Sequence, residues 1–289
     1  GAWRGQLGLE PDPNLYIQHL CAIFDEVKRV LKKSGTCWVN LGDSYSTGGG
    51  STNKDFNERW SGDKAGQRKQ EIEKPKMNTD VPDKCLVQIP SRFSLEMVNR
   101  GWILRNEIIW HKPNCMPSSV TDRFTVDFEK VFFFVKSKRY YFKQQFDKPI
   151  TDFRDGLNKR IISDKGYRDG DSWKTDANRR LRYGSEITWN NPNGRNKRTV
   201  WTISTKPYSG SHFAVFPLEL IAPMIDAGCP PGGTVLDPFC GSGTVLEYAR
   251  KNGFNGIGIE LNPEYEKLVT ERALLDIQSL SVYDEPRKE

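Results

Sequence analysis

The sequence predicts an α/β protein, and three stretches carry the prediction. Near the start, a long amphipathic run "PDPNLYIQHLCAIFDEVKRVLKKSG" feeds a short apolar run "TCWVNL", the helix-then-strand rhythm of a layered sheet. In the middle, "WILRNEIIWHK" and "EKVFFFVKS" are rich in the β-branched and aromatic residues that fit a pleated surface. Towards the end, Thr234 to Glu260 runs strand, glycine turn, helix, strand, acid without a break.

Taken in order, the first helix is capped by Asp12, and Pro13 suits its opening turn. Leu20, Ile23, Phe24, Val27, Val30 and Leu31 recur at helical spacing, Lys32 and Lys33 favour the C-terminal end, and Gly35 closes it. Thr36 to Leu41 then reads as a buried strand. Ser46 to Lys84 is charged and glycine-rich, so it reads as a mobile surface insertion. Ile89 to Arg100 predicts a helix that ends at Gly101. Two strands follow, and "RYYF" is expected to pair behind the second across a short Ser-Lys-Arg turn. "TVWTIS" resumes strand character, and "PLELIAPMIDAG" predicts a helix despite Pro223. After the glycine turn come a helix to about Asn252, the strand "GIGIE", the helix "PEYEKLVTERALLDI" and a frayed tail.

The 289 residues suffice for one large or two smaller domains, with 36% hydrophobic content to build a core. The net charge of +6 fits a polyanionic partner without demanding one. None of the six cysteines forms a C-x-x-C pair, and the three histidines are scattered, which argues against a metal site or a disulfide framework. No apolar run is long enough to span a bilayer and no signal peptide is legible, so a cytoplasmic protein is expected, or a nuclear one in a eukaryote.

The chemistry concentrates in "VLDPFCGSGTVL". Ligands of open parallel sheets bind beyond the carboxyl ends of the strands, where Asp237 ends one strand and Glu260 the next. Gly241 and Gly243 let the backbone approach a ligand. Glu260 follows about twenty residues later, where an acid can take both hydroxyls of a ribose. A dinucleotide fingerprint would want a small residue where Leu246 stands, and a phosphate loop would want Gly-Lys-Ser/Thr, so NAD and ATP are disfavoured. An acid ahead of the glycines suits a cofactor with an amino group and a positive centre, and S-adenosylmethionine has both.

"DPFCGSGT" with "GIGIELNPEY" resembles the cofactor motifs of the DNA amino-methyltransferases. "HFAVFPLELI", "GQLGLEP" with the helix and strand after it, and "WHKPNCMPSSVTDRFTVDFEKVFFFVKSKRYYF" resemble the subgroup with permuted motif order. The resemblance implies a Rossmann-like S-adenosylmethionine-dependent methyltransferase sheet with an inserted irregular target-recognition region. Residues 1–145 would form the catalytic-side half, 146–198 the target-recognition region and 199–289 the cofactor-binding half. It places Asp237 at the methionine end of the cofactor, with Pro238, Phe239, Gly241 and Gly243 shaping the pocket. Ser242 and Thr244 would supply hydroxyls or cap the helix, Glu260 would take the ribose, Asn262 would flank the adenine and Phe213 would wall the methionine moiety.

The family activates the base amine with a Ser/Asp-Pro-Pro-aromatic tetrapeptide, and none occurs in "GCPPGG", "TKPY" or "LGDSY". The expectation is that it lies upstream of Gly1 or on another chain; Asp43 is a conceivable substitute, with capping of local amides the simpler role. No Pro-Cys occurs, which argues against a covalent cytosine-C5 mechanism. The expected partners are double-stranded DNA, the segment or chain that carries the tetrapeptide, and a second copy in a homodimer. The expected reaction is methyl transfer to a flipped base amine, cytosine N4 ahead of adenine N6, in a restriction-modification setting. Lys112, Arg123, Arg160, Arg179, Arg180, Arg195, Lys197 and Arg198 are the candidate DNA contacts. The competing readings are a DNA-binding module without turnover and an RNA methyltransferase with the same cofactor site.

Overall fold

A computed structural model describes residues 7–8, 10–46, 81–147, 194–205 and 216–273. The expected insertion core at 47–80, Phe213, Arg160, Arg179, Arg180 and the tail from 274 onward lie outside the described residues. The chain divides into two compact units, Gly1–Phe142 with Val200–Glu289, and Lys143–Thr199.

In the larger unit, α1 (Pro13–Val30) begins as its sequence dictates: Asp12 Oδ1 accepts from Asn14 N at 2.5 Å, and proline opens the helix. It ends at Val30, ahead of Gly35, because Leu31 turns extended. There Lys136 Nζ donates to Lys28 O at 2.7 Å, satisfying one of the orphan carbonyls of the last turn. Ile17, Leu20, Cys21 and Phe24 form its buried stripe. β1 (Thr36–Leu41), β2 (Ile103–His111), β3 (Phe128–Val135) and β6 (Val200–Thr202) form one sheet in the order β1-β3-β2-β6. β3 runs antiparallel to both neighbours, and β2 and β6 run parallel.

This order explains why the expected pairing of "RYYF" behind β3 does not form. Both edges of β3 are already occupied, by β1 and β2, so no ladder is open to a returning hairpin. Instead Phe142 stacks on Phe133 at 5.6 Å, Tyr140 meets it edge-on at 5.8 Å, and Tyr141 N donates to Ser34 O.

α2 (Ile89–Asn99) and α1 cover one face of the sheet, where Phe93, Met97, Phe132, Phe134 and Val39 meet in the largest core cluster. α3 (Leu218–Gly228) covers the other face with Leu220 and Met224, against Ile108, Trp110, Val131 and Trp201. Burying each of these large side chains contributes about 1.5–3 kcal/mol. From an adjacent stripe α3 sends Ile221 and Ile225 to Val245 and Val235, so this one helix touches two layers of structure. Gly228 closes the joint: a Cβ there would sit 2.2 Å from Thr36 Oγ1, which itself donates to Gly228 O.

β7 (Thr234–Asp237), α4 (Thr244–Lys251) and β8 (Asn255–Gly258) follow, with β7 and β8 parallel. A 3-10 turn (Pro263–Tyr265) leads into α5 (Glu266–Ala273), so the last helix begins later than its sequence suggested. In the smaller unit, β4 (Phe146–Asp147) pairs antiparallel with β5 (Arg195–Asn196).

Candidate cofactor site

Two strand tips and one glycine turn build the site. β7 and β8 pair in register from Thr234↔Asn255 to Asp237↔Gly258, and the ladder continues one step, Ile259 N to Asp237 O at 2.9 Å and Cys240 N to Ile259 O at 3.0 Å. The chain can pack this closely because Gly256 and Gly258 carry no side chain: a Cβ on Gly258 would lie 2.8 Å from Leu246 and 2.9 Å from Cys240 Sγ. Gly243 has φ +80°, and Gly241 has φ +51°, so the turn enters α4 through the left-handed region.

Glu260 binds the turn rather than merely facing it. Its Oε2 accepts from Gly241 N at 2.8 Å and its Oε1 from Asn262 N at 2.9 Å. Each oxygen keeps a further lone pair, which leaves acceptor capacity for a pair of hydroxyls. Asp237 Oδ1 accepts from Phe239 N at 3.0 Å; Oδ2 has no hydrogen-bond partner among the described residues. Burial pushes the Asp237 carboxyl above its ordinary value, and the neighbouring Glu260 charge pushes it the same way. Two carboxylates beside one turn make a place that favours a cation, because a positive centre relieves both burial and mutual repulsion. A ribose-bearing ligand with an ammonium and a sulfonium group fits this donor set.

Phe239 is half exposed beside the turn, its ring 6.4 Å from Phe24 on α1. Pro238 fixes the chain between it and Asp237. Ser242 and Thr244 are buried, and neither caps α4, whose N-cap is Gly243 without a side-chain bond. Ser242 Oγ instead accepts from Arg272 Nη1 at 2.7 Å, while Arg272 Nε donates to Glu247 at 2.6 Å. This clamp, which ties α5 to the base of the turn, has no signal in the sequence beyond helical periodicity. Cys240 is buried, and its thiol is pushed up to about 12, first by burial and then by the Asp237 and Glu260 charges, so it is no thiolate nucleophile.

Asp43, at the exit of β1, accepts with Oδ1 from Ser44 N at 2.9 Å and from Ile89 N at 3.0 Å, which is the work of a cap for α2. Lys112 pairs with Glu129 and lies over the Trp110 ring at 4.3 Å, and Arg123 lies over Tyr45 at 3.7 Å. In the smaller unit Arg195 is exposed on β5, and Lys197 and Arg198 both approach Asp147. A further group was missed from sequence. Glu10 is buried, accepts from Gly8 N at 2.7 Å and meets His19 Nδ1 at 3.0 Å; Tyr16 is pushed above its ordinary value, by burial first and then by Glu10. Among the described residues no group of His, Cys, Asp and Glu could hold a metal ion, and no helix is long and apolar enough to cross a membrane.

A cofactor turn held by two acids at adjacent parallel strand tips, on a layered α/β frame, defines a nucleotide-type cofactor enzyme. Residues 3–271 match the model of a family described as DNA methylase, its N6/N4 branch. The chain is 38% identical over 271 residues to the type II methyltransferase M.SmaI of Serratia marcescens, covering 93% of this chain and 78% of that one. It is 36% identical over 271 residues to M.Cfr9I of Citrobacter freundii, covering 92% and 74%. Among solved structures it resembles the PvuII DNA methyltransferase (cytosine-N4-specific), with a TM-score of 0.56 and 17% identity over 92% of this chain and 73% of that one. The chain belongs to the DNA amino-methyltransferase family, whose cofactor is S-adenosylmethionine.

Proposed function

We propose that this chain methylates an exocyclic base amine in duplex DNA, the cytosine N4 position ahead of adenine N6, in a site-specific manner. The observation that carries the cofactor half of the reading is Glu260 locked onto Gly241 at 2.8 Å, beside a half-buried Asp237 with a free acceptor oxygen. Glu260 would hold the ribose hydroxyls, Asp237 the ammonium and the positive end, Asn262 the adenine side and Phe239 one wall. The cofactor supplies a methyl group on a sulfonium, an electrophile that needs no acid or metal. The chain's task is therefore to exclude water and to hold an amine lone pair in line. The lean towards cytosine rests on the flanking segments, which resemble that subgroup.

The amine also needs acceptors for its protons. β1 has β3 on one side only, and β7 has β8 on one side only, among the described residues; α3 packs against both strands' neighbourhoods. Two strand edges facing one helix support the reading that a further strand, carrying the Ser/Asp-Pro-Pro-aromatic tetrapeptide, pairs there, from an upstream segment or a second chain. A protein that flips its target would present the base amine to that strand, with the aromatic stacked on the base.

The test is methyl transfer from labelled cofactor to mixed-sequence duplex DNA, by the chain alone and with a Ser/Asp-Pro-Pro-aromatic strand peptide added in trans, followed by nucleoside analysis. N4-methylcytosine is expected. N6-methyladenine would overturn the base assignment, labelled RNA would overturn the substrate, and binding of DNA without transfer in both forms would leave a recognition module.

A further inference from the structure

We infer that Phe124, on the loop between β2 and β3, inserts into the base stack of the DNA on which this enzyme acts; the inference rests on the DNA-methyltransferase reading above. Phe124 is 96% exposed, more than any other large apolar residue among those described. A single exposed leucine or valine is ordinary, but a phenylalanine with its whole ring in water is not, and Met116, Val120 and Val126 are exposed on the same loop.

The loop is not slack. Lys112 N donates to Asp127 O at 2.7 Å and closes its base. Asn114 and Thr205 exchange two hydrogen bonds, Nδ2 to O at 2.8 Å and N to Oδ1 at 2.9 Å. Asp122 pairs with Lys84 at 2.7 Å, and the Arg123 guanidinium carbon lies 3.7 Å from the centre of the Tyr45 ring. The two residues before Phe124 thus each touch a neighbouring segment, Asp122 through an exposed ion pair and Arg123 over a ring, and the base of the loop is closed by backbone and Asn114 hydrogen bonds. Preorganised aromatic display of this kind lowers the entropy lost on contact.

The loop also stands at the right end of the sheet. β1, β2 and β6 all run the same way, so the loop leaves from the same pole as Asp43 and Tyr45 at the exit of β1. α3 ends on Thr36, the first residue of β1, and β7 starts a short turn later, which puts the start of β7 at the opposite pole and its glycine turn at this one. A duplex that delivers a base amine to the glycine turn therefore passes the loop. Apolar side chains inserted between base steps unstack and kink the duplex, which eases extrusion of a neighbouring base. Arg123, beside the ring, adds a cation where the phosphates run.

The test uses the full chain with mixed-sequence duplex DNA. In Phe124→Trp the added tryptophan emission, taken as the difference from the parent, should fall by half or more on saturation with duplex. Phe124→Ala should weaken duplex binding about tenfold and Phe124→Leu less, by the usual worth of an aromatic stacked on a base. S-adenosylmethionine affinity and melting temperature should not move in any variant. Duplex binding by the parent with unchanged affinity in Phe124→Ala and no quenching in Phe124→Trp overturns this inference alone. A parent that binds no duplex overturns it together with the function. A change in the sedimentation of free Phe124→Ala assigns the ring to a protein interface and also overturns it.

Discussion

The four-stranded sheet and the β7–β8 pair, although parts of one unit, are built to different depths. Between α1, α2 and the sheet, Phe93, Phe132, Phe134, Met97 and Trp102 are nearly inaccessible; Phe93 meets Phe134 edge to face and tilts against Phe132, and Trp102 tilts against Phe134. Around the glycine turn the core is four residues, Cys240, Leu246, Val269 and Ala273, and the far side of β8 shows Ile257, Ile259 and Leu261 to solvent. The difference teaches where the stability lies. The aromatic sandwich holds the fold, and the turn, thinly packed and loaded with two acids, is stabilised by whatever binds it. Such asymmetry is expected where a site must trade stability for charge.

The strongest way to break the comparison is in the sandwich. Phe93→Ala should cost about 3–5 kcal/mol, read as a large fall in the midpoint of urea unfolding, because the emptied space lies between two helices and a sheet. A loss below about 1 kcal/mol would mean that this cluster is not the keystone. Next comes the turn. Glu260→Ala frees two backbone donors, Gly241 N and Asn262 N, and should cost about 1–3 kcal/mol while removing cofactor binding measured by calorimetry. Retained binding would remove Glu260 from the site.

Asp237→Asn sharpens the contrast because stability and binding should move in opposite directions. Asp237 is held above its ordinary 3.8 in the folded chain, so the folded state binds more protons than the unfolded one as pH climbs from that value. The cofactor-free protein should lose stability across that window, and Asp237→Asn should flatten the loss and melt no lower than the parent. The affinity of the parent for a sulfonium should rise over the same window as the carboxylate ionises, and the variant should bind weakly throughout. A variant that binds like the parent, or melts well below it, would sink the assignment.

Gly243→Ala tests the turn's backbone. With φ +80° and Val269 Cγ1 3.2 Å from the added carbon, it should cost about 1–2 kcal/mol. The smallest effect belongs to Lys251→Ala. Its partner Glu247 is also held by Arg272, so the exposed ammonium should be worth under about 0.5 kcal/mol in thermal melts.

Local rules made most of the elements legible. Asp12-Pro13 announced α1, the apolar runs announced β1, β2 and β3, and the acid–glycine–acid spacing announced a turn that the structure closes with Glu260 on Gly241. What sequence reading missed was set by neighbours far along the chain. "RYYF" looks like a strand, yet β3 has no free edge. Ser242 looks like a cap for α4, yet Gly243 is the N-cap and the Ser242 hydroxyl accepts from Arg272. Asp43 reads as a cap for local amides and does accept from Ser44 N, yet its other donor, Ile89 N, comes from a helix far along the chain.

By itself, then, the order of residues determined the α/β class, the family and the two acids flanking the glycines, because periodicity, turn chemistry and close spacing act over a few residues. Only the tertiary structure decided that β3 lies between β1 and β2, that α3 serves two layers, and that Phe124 stands in water on a loop closed at its base. Those outcomes depend on which distant surfaces compete for the same edge or face, and no local pattern encodes that competition.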